Sequence, residues 1–150
     1  HLFYDGVLTP ARYDQWLHQV AVRFVAVADV HLDYAGRQEN ALIARGLPFL
    51  RPVMQSRQWR VYAVRNPTPI VTGAATLREI GPNSLTLQAT HPGRALVRVH
   101  FTPYWSLGPG TGCVEAAGDL TALTLRRPGP VRLVIAFSPG RIGSRAPRCR

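Results

Sequence analysis

Turn-forming tripeptides divide the second half of the chain into short segments, and this division constrains the fold more than any other feature. GPN, HPG, GPG and PGP follow one another between residues 81 and 130. Proline lacks a backbone donor and glycine destabilises a helix interior, so these segments favour strands over helices. Leu85 and Leu87 alternate with Thr86 and Gln88, which is the two-residue period of a strand with one buried face.

The segments between the turns predict an antiparallel β-sandwich of the jelly-roll kind over residues 67–143. A lone hairpin buries too little apolar surface to be stable, whereas five or six strands can close two layers on each other. Residues 144–150 are expected to form a C-terminal tail held by Cys149. The predicted strands are residues 75–80, 84–89, 94–101, 113–116, 120–126 and 131–137.

The first 66 residues carry signals of helices as well as strands and predict a small α/β layer. Thr9 followed by Pro10 is typical of a helix start, and Tyr13 and Leu17 follow at helical spacing. The run RFVAVADV is apolar and β-branched, as in a buried strand. The predicted elements are a helix over residues 10–20, a strand over 23–30, a helix over 37–45 that stops at Gly46, and a hairpin of residues 50–55 and 58–65 about Ser56-Arg57. The chain is thus expected to be one compact α+β domain.

The charge of the chain is strongly positive, since all 18 basic residues are arginine and only eight residues are acidic, for a net charge of +10. Such a surface suits nucleic acid, anionic lipid or an acidic glycan. The arginines are scattered, however, and no zinc-finger, RRM or helix-turn-helix signature accompanies them. We therefore expect no nucleic-acid partner, while a membrane-surface role for the Arg-rich C-terminal end stays open.

Cys113 and Cys149 are the only two cysteines. They are too few and too far apart for a CxxC site or a four-cysteine zinc cluster. A disulfide or two free thiols remain, and we favour the disulfide, which would indicate an oxidising compartment.

Asp29, His31 and Asp33 form the nearest pattern to a metal site. Their period of two would place them on one face of an extended segment. The segment supplies only one imidazole, and the other histidines follow no matching spacing. A polar exit from a strand explains the same residues, and we predict neither a metal nor a cofactor.

Patterns for covalent catalysis are missing from the sequence. The GxSxG elbow is absent, and no helix signal follows Cys113 to lower the pKa of its thiol. The run Gly108 to Gly112 lacks the GK[ST] of a phosphate-binding loop and is expected to be an ordinary loop. We predict no catalytic residue, although a hydrolase whose acids converge only in the fold stays an alternative.

The aromatic pair Tyr104 and Trp105 follows a proline and precedes the glycine-rich loop. Two interpretations are open. The rings plug the core, as aromatic residues at strand ends often do, or they stack on sugar rings as part of a carbohydrate-binding module.

The start of the chain, His1-Leu2-Phe3-Tyr4, indicates a processed fragment of a larger protein. The longest nearly uncharged run, residues 67–77, is too short and too rich in Pro, Gly and Thr to span a bilayer as a helix. We find no secretion signal in the sequence. Any targeting signal is therefore expected to lie in the missing part.

Two long stretches resemble a known class of membrane protein. Residues 4–53 and 59–69 resemble the region after the last membrane helix in multi-spanning actinobacterial proteins of the GT-C glycosyltransferase-like type. Residues 83–142, centred on Pro103-Tyr104-Trp105, resemble the C-terminal sandwich of such proteins. The resemblance implies a place on the extracytoplasmic face of the membrane. It carries over no catalytic residue, because in that family the catalytic acid generally lies in a loop among the membrane helices.

The sequence and the resemblance together predict a non-catalytic, extracytoplasmic accessory domain of a larger integral membrane protein. Its expected partners are the transmembrane part of its own parent chain and a cell-envelope glycan, in a membrane-proximal position.

Overall fold

A computed structural model describes residues 8–137 and Cys149, and its first helix begins where the local sequence signal places it. Helix α1 (Pro10–Gln19) starts after Thr9, whose hydroxyl accepts a hydrogen bond from the Arg12 amide at 3.3 Å. This cap and the proline in the first turn satisfy or remove amide donors that would otherwise be unpaired. The chain divides into two units, residues 1–68 and residues 69–150, called here the N-terminal and C-terminal units. The predicted boundary after residue 66 lies beside this division.

The N-terminal unit contains one three-stranded antiparallel sheet and two helices. Its remaining elements are β1 (Phe24–Ala28), α2 (Tyr34–Ala44), β2 (Leu50–Gln55) and β3 (Trp59–Val64). The strand order is β1-β3-β2, and β3 runs antiparallel to both neighbours. Strands β1 and β2 therefore run parallel to each other on either side of β3, with α2 in the connection between them, which is a split β-α-β arrangement.

The core of the N-terminal unit lies between the helices and one face of this sheet. Tyr13 and Leu17 of α1 and Leu42 and Ile43 of α2 are buried. They belong to one apolar cluster with strand residues from all three strands. The strand members are Val25, Val27, Leu50 and Val64.

The C-terminal unit is built from two four-stranded antiparallel sheets. Its strands are β4 (Val71–Gly73), β5 (Ala75–Ile80), β6 (Ser84–Ala89), β7 (Gly93–His100), β8 (Trp105–Leu107), β9 (Gly112–Ala117), β10 (Leu120–Leu125) and β11 (Gly129–Ile135). One sheet has the order β4-β7-β10-β9 and the other β5-β6-β11-β8. Buried residues of both sheets form a single apolar cluster, with Leu87 and Leu133 from one sheet and Val97 and Leu123 from the other fully inaccessible to solvent.

The described chain is thus mostly antiparallel β-sheet with two short helices, which confirms the β-rich α+β class predicted from the sequence. The predicted elements are present with shifted ends. Helix α2 begins three residues before the predicted residue 37, because the Asp33 carboxylate accepts a hydrogen bond from the Gly36 amide at 2.7 Å and caps it. Strands β4 and β8 were not predicted, since three residues give no measurable period. The predicted C-terminal tail, apart from Cys149, and residues 138–143 lie outside the described residues.

Candidate functional site

The segment Asp29 to Asp33 is not an extended strand, so the face that would have joined its three polar residues does not exist. Strand β1 ends at Ala28. The Asp33 side chain is occupied as the cap of α2. Among the described residues, no group of three or more His, Cys, Asp or Glu side chains could hold a metal ion. The prediction of a polar exit from the strand agrees with this geometry.

Trp105 fills the core of the C-terminal unit and is only 8% exposed. Its indole Nε1 donates a hydrogen bond to the His100 carbonyl oxygen at 3.1 Å. Tyr104 is partly exposed and packs edge-on against Phe137, with ring centroids 5.2 Å apart. The two residues proposed together for sugar stacking therefore face different surroundings, and the aromatic surface at this strand end consists of Tyr104 and Phe137.

Cys113 and Cys149 form a disulfide, with their Cα atoms 5.4 Å apart. Cys113 lies in β9, an edge strand of its sheet, so the bond ties Cys149 to that edge. The pairing favoured from the sequence is confirmed. A structural disulfide is typical of an oxidising compartment.

The glycine-rich run between β8 and β9 is a loop. The Thr111 hydroxyl donates to the Gly108 carbonyl oxygen at 2.6 Å and closes it. A strand follows the loop, so no helix N-terminus points at it. A cavity of about 350 Å³ lies beside it, lined by Thr111, Arg127, Pro128, Gly129, Pro130 and Val131.

The buried Tyr13 is the most perturbed titratable group of the described chain. Its hydroxyl donates to Oε1 of Glu39 on α2. Burial of the ring, followed by the hydrogen bond and the negative charge of Glu39, raises the pKa of Tyr13 far above its ordinary value. The pair joins α1 to α2 and gives the carboxylate a buried donor, so its role is structural.

Asp14, His18 and Thr68 form a short polar chain at the end of α1. Nε2 of His18 lies 3.5 Å from Oδ1 of Asp14, and Nδ1 of His18 lies 3.1 Å from the Thr68 hydroxyl. The order acid, imidazole and hydroxyl is that of a hydrolytic triad. These residues line neither the cavity beside the glycine-rich loop nor the cavity at the tip of the β2–β3 hairpin. A histidine in the last turn of a helix, paired with an acid four residues earlier, is also an ordinary way of stabilising a helix end.

A second cavity, of about 250 Å³, lies at the tip of the β2–β3 hairpin. The side chains of Asp29, Arg57 and Arg60 contribute charge to its wall, and Arg60 donates from Nη2 to Oδ1 of Asn40 at 2.9 Å. The Ser56 hydroxyl accepts from the Trp59 amide at 3.0 Å and fixes the turn. The carboxylate balances part of the arginine charge within this cavity.

The second face of the sheet in the N-terminal unit is the one on which neither α1 nor α2 packs. Phe24 lies opposite Ala63, Ala26 opposite Val61, and Val61 opposite Met54, so these side chains share one face. It is opposite to the face that carries Val25 and Val27 against the helices. We call it the apolar sheet face, and its residues are Phe24, Ala26, Met54, Trp59, Val61 and Ala63.

Exposure of these side chains is high for residues of their type. Phe24 is 56% exposed, Met54 50% and Trp59 45%. Sequence reasoning missed this surface, because the apolar run of β1 predicts a strand buried on both faces, and Phe24 contradicts that prediction. The strands β1 and β3 did carry a sign of this surface. In both strands the residues that point to either face are largely apolar, although the helices pack on only one face of the sheet.

None of the helices in the described part of the chain has the length and apolar character needed to cross a bilayer. Comparison of the chain with protein-family models, with curated proteins and with solved structures finds no match. The resemblance to GT-C-type membrane proteins accordingly rests on the sequence stretches quoted above.

Proposed function

We propose that this chain is a non-catalytic accessory domain that works on the extracytoplasmic face of a cell membrane, as part of a larger membrane protein of the GT-C glycosyltransferase-like type. The disulfide between Cys113 and Cys149 is the observation that carries the proposal. It fixes the end of the chain to a sheet edge, and bonds of this kind persist where thiols are not kept reduced.

The strand architecture supports the same role. Two four-stranded sheets contribute to one apolar cluster in the C-terminal unit, and we propose that they form a sandwich of the jelly-roll kind. Such scaffolds hold a rigid surface in place and commonly serve in binding. The domain would pack on the transmembrane part of its parent chain or contact the glycan that passes over it.

Thiol accessibility in cells tests the compartment. Cells that express the parent protein are quenched in acid, and free thiols are alkylated with a maleimide polymer. Each attached polymer retards the protein on a gel, and the adducts at Cys113 and Cys149 are counted. We expect no retardation until the sample is reduced, and then retardation by two adducts. The Cys113→Ser variant is the matched control and should carry one adduct without reduction. Two adducts on the unreduced wild type would contradict the proposal.

Activity of the purified chain tests the non-catalytic role. We expect no transfer or hydrolysis when the 150-residue chain is incubated with lipid-linked sugar donors. Turnover by the chain alone would overturn this part of the proposal.

A carbohydrate-binding module is the second candidate, favoured by the aromatic pair of the partly exposed Tyr104 and the exposed Phe137. Aromatic faces stack on sugar rings, and the excess of arginine would add charged hydrogen bonds. A glycan array probed with the wild type and with Tyr104→Ala separates the two candidates. Binding that the substitution abolishes would favour the module, and an array without signal would remove it.

A further inference from the structure

We propose that the apolar sheet face and the tip of the β2–β3 hairpin bind the surface of an anionic lipid bilayer. The inference rests on the proposed function, because that function places the domain beside a membrane, and it names the surface that makes the contact. The chain would lie on the bilayer through its N-terminal unit and would not span it.

The first support is the exposure of apolar side chains along one continuous stretch. All residues from Arg51 to Trp59 are exposed. They include Met54, which is 50% exposed, and Val53, which is 41% exposed. Exposed apolar residues occur elsewhere too, as at Ile80, but Phe24, Met54 and Trp59 are gathered on one sheet face, and clustering of this kind marks an interaction site. Tryptophan at a strand end is suited to the boundary between headgroups and acyl chains.

The second support is the sign of the charge around this surface. Arg51 lies opposite Ala63 on the apolar sheet face, and Arg57 lies in the turn of the hairpin. Strands β1, β2 and β3 contain no acidic residue, and Asp29, directly after β1, offsets only part of the charge of Arg57 and Arg60 in the cavity at the hairpin tip. A cationic rim around an apolar and aromatic centre is complementary to an anionic bilayer, because the guanidinium groups meet the headgroups while the apolar side chains enter below them. Each arginine held at such a surface strengthens binding about fivefold.

The size of the face argues against a second copy as its occupant. Three strands of about five residues cover an area on the order of 240 Å². A standard stable interface involves about 20–30 residues on each side, whereas the apolar sheet face has the six residues named above. Two copies would also each carry a net charge of +10 and repel one another. Binding to a bilayer has no such minimum area, since its strength grows with the apolar area inserted and with the attraction to anionic lipid.

Co-sedimentation of the 150-residue chain with vesicles tests the inference. One set of vesicles contains equal parts of phosphatidylglycerol and phosphatidylcholine, and the other contains phosphatidylcholine alone. We expect binding to the first set that weakens as salt is raised, because salt screens the attraction. The chain should bind at least about tenfold less to the second set.

Matched substitutions locate the contact. Phe24→Ser combined with Trp59→Ser should lower the partition coefficient on anionic vesicles about tenfold or more, whereas Ile80→Ser, at a residue 60% exposed in the C-terminal unit, should leave it unchanged. Arg51→Gln with Arg57→Gln should lower it about 25-fold at low salt. Arg126→Gln with Arg127→Gln removes the same charge elsewhere and should have less than a quarter of that effect.

Fluorescence provides a readout that survives if the serine variants fail to fold. Of the three tryptophans, Trp59 lies on the apolar sheet face, Trp16 packs partly buried against the apolar cluster on the other side of the sheet, and Trp105 is buried. Brominated lipid should quench part of the emission of the bound wild type, and Trp59→Phe should remain bound and lose that quenched part.

Three results would overturn the inference. They are the absence of binding to anionic vesicles, equal losses in the matched control variants, and a concentration-dependent dimer that Trp59→Ser abolishes. Each would do so without affecting the thiol test in cells, so failure of this inference is distinguishable from failure of the proposed function.

Discussion

The N-terminal and C-terminal units differ in what their sheets present on the face turned away from the core. In the N-terminal unit this face carries Phe24, Trp59 and Val61, all apolar and at least partly exposed. In the C-terminal unit, Arg132 lies opposite Thr86 on the corresponding face of β11 and β6.

The outer face of the second sheet in the C-terminal unit carries charged residues beside Leu96 and Ala122. Arg94 of β7 pairs with Glu115 of β9 at 3.2 Å. A polar outer face is what a sheet needs when water covers it. The sheets of the C-terminal unit thus carry charged residues on their outer faces, whereas the sheet of the N-terminal unit has exposed aromatic residues there that do not belong to its apolar cluster.

Close backbone packing in the C-terminal unit gives the largest expected effect. Gly73 has a φ of +91°, and a Cβ there would collide with the carbonyl oxygen of Arg94 on the neighbouring strand. Gly46 of the N-terminal unit has a φ of +81° with nothing within 4 Å. We expect Gly73→Ala to lower the free energy of unfolding by at least about 3 kcal/mol, and Gly46→Ala by about 1–2 kcal/mol from the backbone conformation alone.

Urea denaturation followed by circular dichroism measures both values. Equal losses in the two variants would mean that the close approach to the Arg94 carbonyl contributes nothing.

The disulfide gives the next largest effect and belongs to the C-terminal unit alone. Cys113 and Cys149 close a loop with a sequence separation of 36 residues. Removing it with Cys113→Ser and Cys149→Ser should lower the free energy of unfolding by about 3–4 kcal/mol, because the unfolded chain regains the entropy of the open loop. Hydrogen exchange in β9 and β10 measures the loss. Unchanged protection of these strands would contradict the prediction.

Local signals account for the elements that were predicted correctly from the sequence. Thr9 and Pro10 start α1, and glycine and proline separate the strands of the C-terminal unit. Each of these signals acts within a few residues, so a sequence displays it directly. An aspartate at position 33 is also a possible helix cap, but the sequence allows Asp33 to lie on a polar strand face as well. The structure favours the cap, because β1 already ends at Ala28.

Features that depend on distant residues could not be predicted in this way. Tyr13 bonds Glu39, 26 residues away, and the sequence gives no sign of that pairing. The apolar sheet face was missed for a similar reason. Whether Phe24 is buried depends on whether another layer covers that face of the sheet. The apolar run of β1 reads the same with or without such a layer, so it could not predict that Phe24 is exposed.

The Tyr13–Glu39 hydrogen bond is a polar contact between the two helices of the N-terminal unit. Tyr13→Phe keeps the ring and removes the donor, so Glu39 loses a buried partner. We expect a loss of about 1–3 kcal/mol in the free energy of unfolding, the usual cost of an unsatisfied buried group. Tyr34→Phe, at a residue 51% exposed on the same unit, is the control and should change stability by less than about 0.5 kcal/mol. Equal effects would show that the bond is unimportant.

High pH should weaken the N-terminal unit through the same tyrosine. Its pKa is raised in the folded chain by burial and by Glu39, whereas in the unfolded chain it is about 10. The unfolded state therefore loses its proton first. The contribution of Tyr13 to stability is full below pH 10 and declines above it, by up to about 1.4 kcal/mol per pH unit.

Urea denaturation between pH 9 and 11 follows this decline, and Tyr13→Phe removes its share of the slope. A slope that is the same in wild type and variant would exclude Tyr13 as its source.

The smallest expected effect is the most informative about the apolar sheet face. Val25 and Val61 lie in the same sheet, Val25 buried against the helices and Val61 on the apolar sheet face. Val25→Thr places a hydroxyl in the core and should cost about 1–3 kcal/mol. Val61→Thr should change the free energy of unfolding by no more than about 0.5 kcal/mol, because Val61 is partly exposed and lies on the face of the sheet opposite to the helices.

Urea denaturation of both variants decides whether the apolar sheet face is part of the fold. A cost of 1 kcal/mol or more for Val61→Thr would mean that the face is packed and stabilises the folded unit. Its apolar character would then be explained by stability, and the contrast with the polar outer faces of the C-terminal unit would disappear. A near-zero cost, combined with weaker binding to anionic vesicles, would mean that these side chains contribute to binding without contributing to folding.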